Sequence, residues 1–96
     1  MKYIGNAFSI GMVPRELLGQ VRLSPCAAPD VSGLVSCVGH ADTAAVLGVE
    51  MRRVSVTLEP GDVLYVAQLT GGRLPEGTTT LPDGFRFEWV RVEVTA

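Results

Sequence analysis

The chain has 96 residues, 47% of them hydrophobic, and its eight basic and ten acidic residues give a formal net charge of -2. This length fits a single domain spanning residues 1-96, with a modest core that a second copy of the chain would help to cover. The acidic balance argues against a DNA-coating protein, although a few local arginines can still bind a small anionic ligand.

The composition also limits metal and membrane chemistry. Cys26 and Cys37 are the only cysteines and there is one histidine, which is too few ligands for a closed zinc site within one subunit. Neither a targeting segment nor an apolar run of membrane-spanning length is present. We therefore expect a cytoplasmic protein with reduced thiols, no metal, no other cofactor and no membrane partner.

The N-terminal segment predicts a strand followed by a loop and a helical turn. Lys2–Ile4 begins a strand, and the small and polar residues after it, including Asn6 and Ser9, favour a loop. Such side chains usually bond to nearby backbone, which is the structural alternative to any binding role for Asn6 and Ser9. Pro14 is the expected first residue of a short helical turn.

A strand and a helix are predicted next. Gln20–Ser24 alternates, so that Val21 and Leu23 would face the core of an edge strand. Apolar residues then recur at helical spacing over Val31–Val38, with Asp30 as the expected N-cap.

His40, the only histidine, lies between this predicted helix and a second one. Its unperturbed pKa of about 6.5 would let it give or take a proton near neutral pH. The alternative is that His40 merely starts the second helix, which Asp42 or Thr43 would cap and Gly48 would end.

The second half of the chain favours a hairpin. Arg53–Leu58 alternates strictly, Glu59–Asp62 carries Pro and Gly as in a type II turn, and Val63–Ala67 is apolar throughout, as in a central strand. Gln68 is the first polar residue after this buried run. A ligand pocket can open at such a strand end.

The C-terminal part combines a long loop with a long strand. Thr70–Gly84 is rich in Gly, Thr and Pro, and a long irregular segment in a small domain is usually functional or mobile. Phe85–Val94 reads as a strand whose apolar phase switches at Trp89, which suggests a bulge or burial on both faces. We expect an α+β domain with a mixed, largely antiparallel sheet and short helices packed against it.

Three stretches together resemble the viral type III anti-CRISPR ring nucleases: Tyr3–Ile10, then Val38–His40 with Asp42 and Thr43, and finally Leu64–Leu69 followed by Arg73–Gly77. The resemblance implies a small α+β homodimer that degrades the second messenger cyclic tetraadenylate and so switches off type III CRISPR effectors. The sequence departs from the family pattern in two places. Ala41 stands where an acidic residue often follows the histidine, and the segment from Ala44 to Met51 is several residues shorter than in the family.

The resemblance gives each matching residue a role. His40 is expected to act as general acid, with Glu76 as a catalytic partner that either orients the imidazole or contacts the 2′-hydroxyl. Asn6, Ser9, Gln68 and Arg73 are the expected substrate-binding residues. For Arg73 and Glu76 the structural alternative is a solvated ion pair in a loop, which contributes little.

Three functions follow as alternatives. The first is a metal-independent ring nuclease, and the second is a binding protein of the same fold that sequesters a cyclic oligonucleotide without cutting it. The third is a small protein that acts through protein contacts alone. The residues do not distinguish a viral inhibitor from a cellular regulator, and they do not fix the ring size.

Overall fold

A five-stranded mixed sheet forms the framework of the computed structural model, which describes residues 1–96. In chain order the strands are β1 (Lys2–Gly5), β2 (Val21–Cys26), β3 (Val35–Ser36), β4 (Val63–Thr70) and β5 (Arg86–Val94). Across the sheet their order is β2-β5-β4-β1-β3. One α-helix, α1 (Ala41–Leu47), and two 3-10 helices, Ile10–Met12 and Arg15–Gln20, complete the regular structure.

The pairing of the strands confirms the predicted α+β fold with a mixed, largely antiparallel sheet. β5 pairs antiparallel with β4 from Val63↔Glu93 to Thr70↔Arg86 and with β2 from Val21↔Val94 to Cys26↔Trp89. β1 instead lies parallel to both β4 and β3. None of the helices has the length and apolar character that a membrane crossing requires.

β4 occupies the middle of the sheet because both of its faces are apolar. Leu64 and Val66 are buried on one face and pack with Val92 of β5 and with Leu58. Ala67, which points to the opposite face, is also buried. The prediction of a central strand from the run Val63–Ala67 is thus confirmed.

The helix predicted at Val31–Val38 is wrong. The chain turns there instead: Asp30 accepts hydrogen bonds from the backbone N–H and the hydroxyl of Ser32, at 3.0 and 2.7 Å. Gly33 has a φ of +80°, which a right-handed helix does not allow. Val35–Ser36 then pairs with β1, so tertiary pairing overrides the helical spacing of the apolar residues.

The predicted hairpin of Arg53–Leu58 with Val63–Ala67 is also wrong, although the turn between the two segments is present. The Asp62 N–H donates to the Glu59 carbonyl at 2.9 Å, and Gly61 has a φ of +90° as a type II turn requires. Both edges of β4 are occupied by β1 and β5, so Arg53–Leu58 has no strand partner. It crosses the core face, where the Leu58 N–H donates to the Met12 carbonyl at 2.7 Å.

β5 contains no bulge, because its register with both neighbours is unbroken. The change of apolar phase instead reflects its two faces. Val90 and Val92 contribute to the core, whereas Phe87 and Trp89 are half-buried on the other side, with ring centroids 6.1 Å apart. In the edge strand β2, Leu23 does not reach the core as expected and remains 60% exposed.

We expect Leu64→Ala to lower the free energy of unfolding by about 2–5 kcal/mol, because it leaves a cavity beside the buried side chains of β5. Leu23→Ala is the matched control, since the same atoms are removed from an exposed position and the change should stay within about 0.5 kcal/mol. Urea unfolding curves of both variants measure the difference. Equal losses would contradict the assignment of the core to the Leu64 face.

Candidate functional site

The carboxyl ends of the parallel strands β1, β3 and β4 open onto one cleft. Asn6 directly follows β1, His40 lies between β3 and α1, and Arg73 follows β4. Ligand sites in sheets with parallel strands commonly lie at such ends. The cleft has a volume of about 420 Å³ and is lined by Asn6, His40, Asp42, Thr43, Ala67, Leu69, Gly72, Arg73 and Leu74.

His40 is the N-cap residue of α1, so it does start the helix, as the structural alternative for this residue predicts. Its backbone is extended and its carbonyl accepts the Ala44 N–H at 2.9 Å. The imidazole, however, caps no backbone N–H of the helix and is exposed at the cleft. The backbone of His40 thus starts the helix while its side chain stays available to a ligand.

The residue before His40 is fixed on both sides of its peptide. The Gly39 N–H donates to Asn6 Oδ1 at 3.2 Å, and Arg53 Nε donates to the Gly39 carbonyl at 2.9 Å. Asn6 therefore bonds to backbone 33 residues away along the chain, and not to the nearby backbone that the structural alternative predicts, and it also lines the cleft. These two bonds set the position from which the imidazole reaches the cleft.

Arg73 reaches the cleft, but Glu76 does not line it. Arg73 is exposed and shares the cleft with His40. Glu76 lies further along the same loop, in the exposed turn Pro75–Thr78, where the Thr78 N–H donates to the Pro75 carbonyl at 3.2 Å. No ion pair joins Arg73 to Glu76, in contrast to Arg86 and Glu88, whose charged groups are 2.9 Å apart.

Ser9 and Gln68 lie outside the cleft. Gln68 stands between Ala67 and Leu69, both of which line it, so the alternation of the strand turns Gln68 to the opposite face of the sheet. There it borders a mainly apolar groove of about 350 Å³ beside Phe8. Ser9 lines a separate groove that adjoins the cleft at Asn6.

The groove lined by Ser9, here called the second groove, also contains residues that the sequence analysis did not identify as candidate binding residues. It has a volume of about 650 Å³, and its lining includes Arg52 and Arg53 but no carboxylate. Ser9, Ser55 and Thr57 add hydroxyl groups. The groove can therefore hold an anion. Its signal in the sequence is the adjacent pair Arg52-Arg53, of which only Arg53 belongs to a predicted element, the strand Arg53–Leu58.

Cys37 also borders this groove, and its thiol is held as a neutral group. Burial raises the pKa of the Cys37 thiol, and Sγ lies 3.3 Å from the Ile4 carbonyl, to which it donates. The reactive thiolate is therefore depleted near neutral pH. No three His, Cys, Asp or Glu side chains lie close enough together to hold a metal ion.

We expect Asn6→Ala to loosen the segment before His40, because the Gly39 N–H loses its acceptor. A hydrogen bond of this kind contributes about 0.5–1.5 kcal/mol, so exchange of the Gly39 amide with deuterium should become roughly threefold to tenfold faster by NMR. Asn6→Asp keeps an acceptor oxygen and should preserve the protection. An unchanged rate in Asn6→Ala would refute the role of this bond.

Comparison with known proteins assigns the fold and the family. Among solved structures, B116 of Sulfolobus turreted icosahedral virus aligns with a TM-score of 0.74 at 21% identity, covering 96% of this chain and 97% of that chain. At this identity the similarity establishes a shared fold. No curated protein matches the sequence.

The sequence also matches the family model described as STIV B116-like over residues 3–85. The matched range includes Asn6, His40 and Arg73, together with the whole loop between β4 and β5. The chain therefore belongs to the STIV B116-like family.

Proposed function

We propose that this protein is a viral, metal-independent ring nuclease that converts cyclic tetraadenylate to linear diadenylates and thereby switches off type III CRISPR effectors. The observation that carries the proposal is the convergence of Asn6, His40 and Arg73 on one cleft. The identity of the substrate rests on the resemblance of the sequence to the anti-CRISPR ring nucleases.

The reaction needs few protein groups. In a 3′–5′ oligoadenylate each phosphodiester lies beside a 2′-hydroxyl, whose oxygen attacks phosphorus in line. The P–O2′ bond forms and the P–O5′ bond breaks, while the 2′-hydroxyl loses its proton to a base and the 5′-oxygen gains one from an acid. The products end in a 2′,3′-cyclic phosphate and a 5′-hydroxyl.

His40 suits the role of general acid because its imidazole is exposed at the cleft. A positioned acid accelerates such a step by about 10²–10⁴-fold, which corresponds to roughly 3–5 kcal/mol of activation free energy. Glu76 stands outside the cleft in the free protein, so a role as partner of His40 or as base requires its loop to move when substrate binds.

Arg73 suits the role of phosphate ligand, since its guanidinium can present two parallel N–H donors to phosphate oxygens. Arg53 extends this positive region beyond Asn6. Its Nε is committed to Gly39, which leaves the terminal nitrogens of the guanidinium for an anion in the second groove. Ser9 lies in that groove and can contact the same part of the ligand, whereas Gln68 faces away from it.

The size of the cleft favours a homodimer. A volume of about 420 Å³ lies in the lower part of the range for drug-sized ligands, about 300–1,000 Å³, and a ring of four nucleotides is several times larger than such a ligand. A two-fold symmetric ring fits two equivalent half-sites of an isologous dimer. Each half-site would supply one His40, so that two cuts release two diadenylates.

A sequestering protein of the same fold is the second candidate. The observation that favours it is the position of Glu76 outside the cleft, together with the brevity of α1, which has only seven residues. Such a protein would bind the ring through Arg73 and Arg53 and leave it intact.

We expect the purified protein to cleave labelled cyclic tetraadenylate in EDTA under single-turnover conditions, giving species that end in 2′,3′-cyclic phosphate. His40→Ala should slow the reaction at least about a hundredfold through loss of the acid. His40→Gln is a matched variant that keeps a polar side chain without a titrating group. Binding without cleavage by the wild-type protein would favour the sequestering protein, and neither binding nor cleavage would refute both candidates.

A separate expectation concerns Arg73. Arg73→Ala should weaken binding of the ring about tenfold or more, because a charged donor pair to phosphate is lost. Isothermal titration with the His40→Ala protein as background measures this without turnover. Arg86→Ala is the matched control, since Arg86 is exposed and pairs with Glu88 on β5. Equal affinities of the two variants would show that Arg73 does not contact the ligand.

A further inference from the structure

We infer that Asp42 is a positioning residue that ties the loop of residues 71–84, here called the Arg73 loop, to the start of α1 and so keeps Arg73 beside His40. The effect of Asp42 on catalysis rests on the proposed function. Its effect on the loop does not, because it follows from the contacts of the free protein.

The two ends of the Arg73 loop touch one another. Thr70 and Arg86 form the last pair of the β4–β5 ladder, and Thr70 Oγ1 donates to the Arg86 carbonyl at 3.1 Å. Gly71 has a φ of +107°, and a Cβ placed on it would lie 2.5 Å from the Gly84 carbonyl oxygen. Only glycine therefore fits at position 71, where the two ends of the loop meet and form what is here called its neck. The Arg73 loop is thus a closed Ω-loop.

At its far side the loop is tied down once. The turn Pro75–Thr78 places Gly77 at a φ of +80°, and the Gly77 N–H donates to Asp42 Oδ1 at 3.2 Å. This is the single hydrogen bond between the interior of the loop and the rest of the chain. Between the neck and this tie lie Arg73 and Leu74, both of which line the cleft.

Asp42 is well placed for this task because it belongs to the first turn of α1, directly after the segment that carries His40. One short helix thus fixes the backbone of His40, which is its N-cap residue, and holds the Arg73 loop through the carboxylate of Asp42. Without the carboxylate the loop would be held only at its neck. Arg73 would then also occupy positions too far from the substrate phosphate to donate hydrogen bonds to it.

Two variants separate the hydrogen bond from the charge of Asp42. Asp42→Ala removes the acceptor, whereas Asp42→Asn removes the charge but keeps an acceptor oxygen. Asp83→Ala is the matched control, because Asp83 is an exposed carboxylate in the same loop that takes part in no ion pair. Circular dichroism of all three establishes that α1 and the sheet are retained.

The first readout is amide hydrogen exchange at Gly77, measured by NMR on the free full-length protein. We expect exchange at least about fivefold faster in Asp42→Ala, and within about twofold of wild type in Asp42→Asn and Asp83→Ala. Unchanged Gly77 exchange in Asp42→Ala would overturn the inference, whatever the protein does to cyclic oligoadenylate.

The second readout is steady-state cleavage of cyclic tetraadenylate. Asp42→Ala should raise KM about tenfold with kcat within about threefold and with the pH profile unmoved, and Asp42→Asn should restore KM. In an Arg73→Ala background Asp42→Ala should have almost no further effect, since it acts through Arg73. A shifted pH profile in both Asp42 variants would overturn the inference in favour of a direct charge effect on His40. Faster Gly77 exchange in a protein that neither binds nor cuts the ring would uphold the tie while refuting the proposed function.

Discussion

The parallel pairing of β1 with β3 on one side and β4 on the other is the constraint on which the site depends. Parallel strands leave a sheet at the same edge, so three chain segments far apart in sequence emerge together. These segments carry Asn6, His40 and Arg73. An antiparallel β1 would have sent Asn6 to the opposite edge, away from the other two residues.

Polar contacts then fix details that strand pairing alone leaves free. Both backbone groups of Gly39 are engaged, by Asn6 and by Arg53, so the approach of the chain to His40 has little freedom. The Arg73 loop is closed at its neck and tied at Gly77. The part of the cleft formed by Asn6, His40 and Arg73 is therefore assembled in the free protein, whereas Glu76 lies outside it. This lowers the conformational entropy that a ligand would lose in ordering these three residues.

The sequence predicted the parts of the fold whose local pattern agrees with their tertiary setting. The apolar run Val63–Ala67 is a central strand, as read. The spacing of apolar residues over Val31–Val38 predicted a helix, but such spacing takes no account of two other features. Gly33 has a left-handed backbone, and Val35 pairs with Tyr3 of β1. Likewise, residue type pointed to His40, and the resemblance to the ring nucleases pointed to Arg73. Gln68 is excluded from the cleft because its side chain lies on the opposite face of β4 from Ala67 and Leu69. Which face of β4 borders the cleft is set by the elements that pack around the strand, and the sequence of the strand does not show it.

The position of β5 between β2 and β4 has a consequence for the order in which the chain can fold. β2 pairs only with β5, and Val21 lies opposite Val94. The backbone of β2 can therefore form hydrogen bonds within the sheet only after the last strand is present. Such distant pairing requires closure of a long loop before the contacts between the strands can form, which slows folding relative to domains dominated by local contacts. On the ribosome, the exposed Leu23 and its unpaired strand would remain open to other chains until β5 is synthesised.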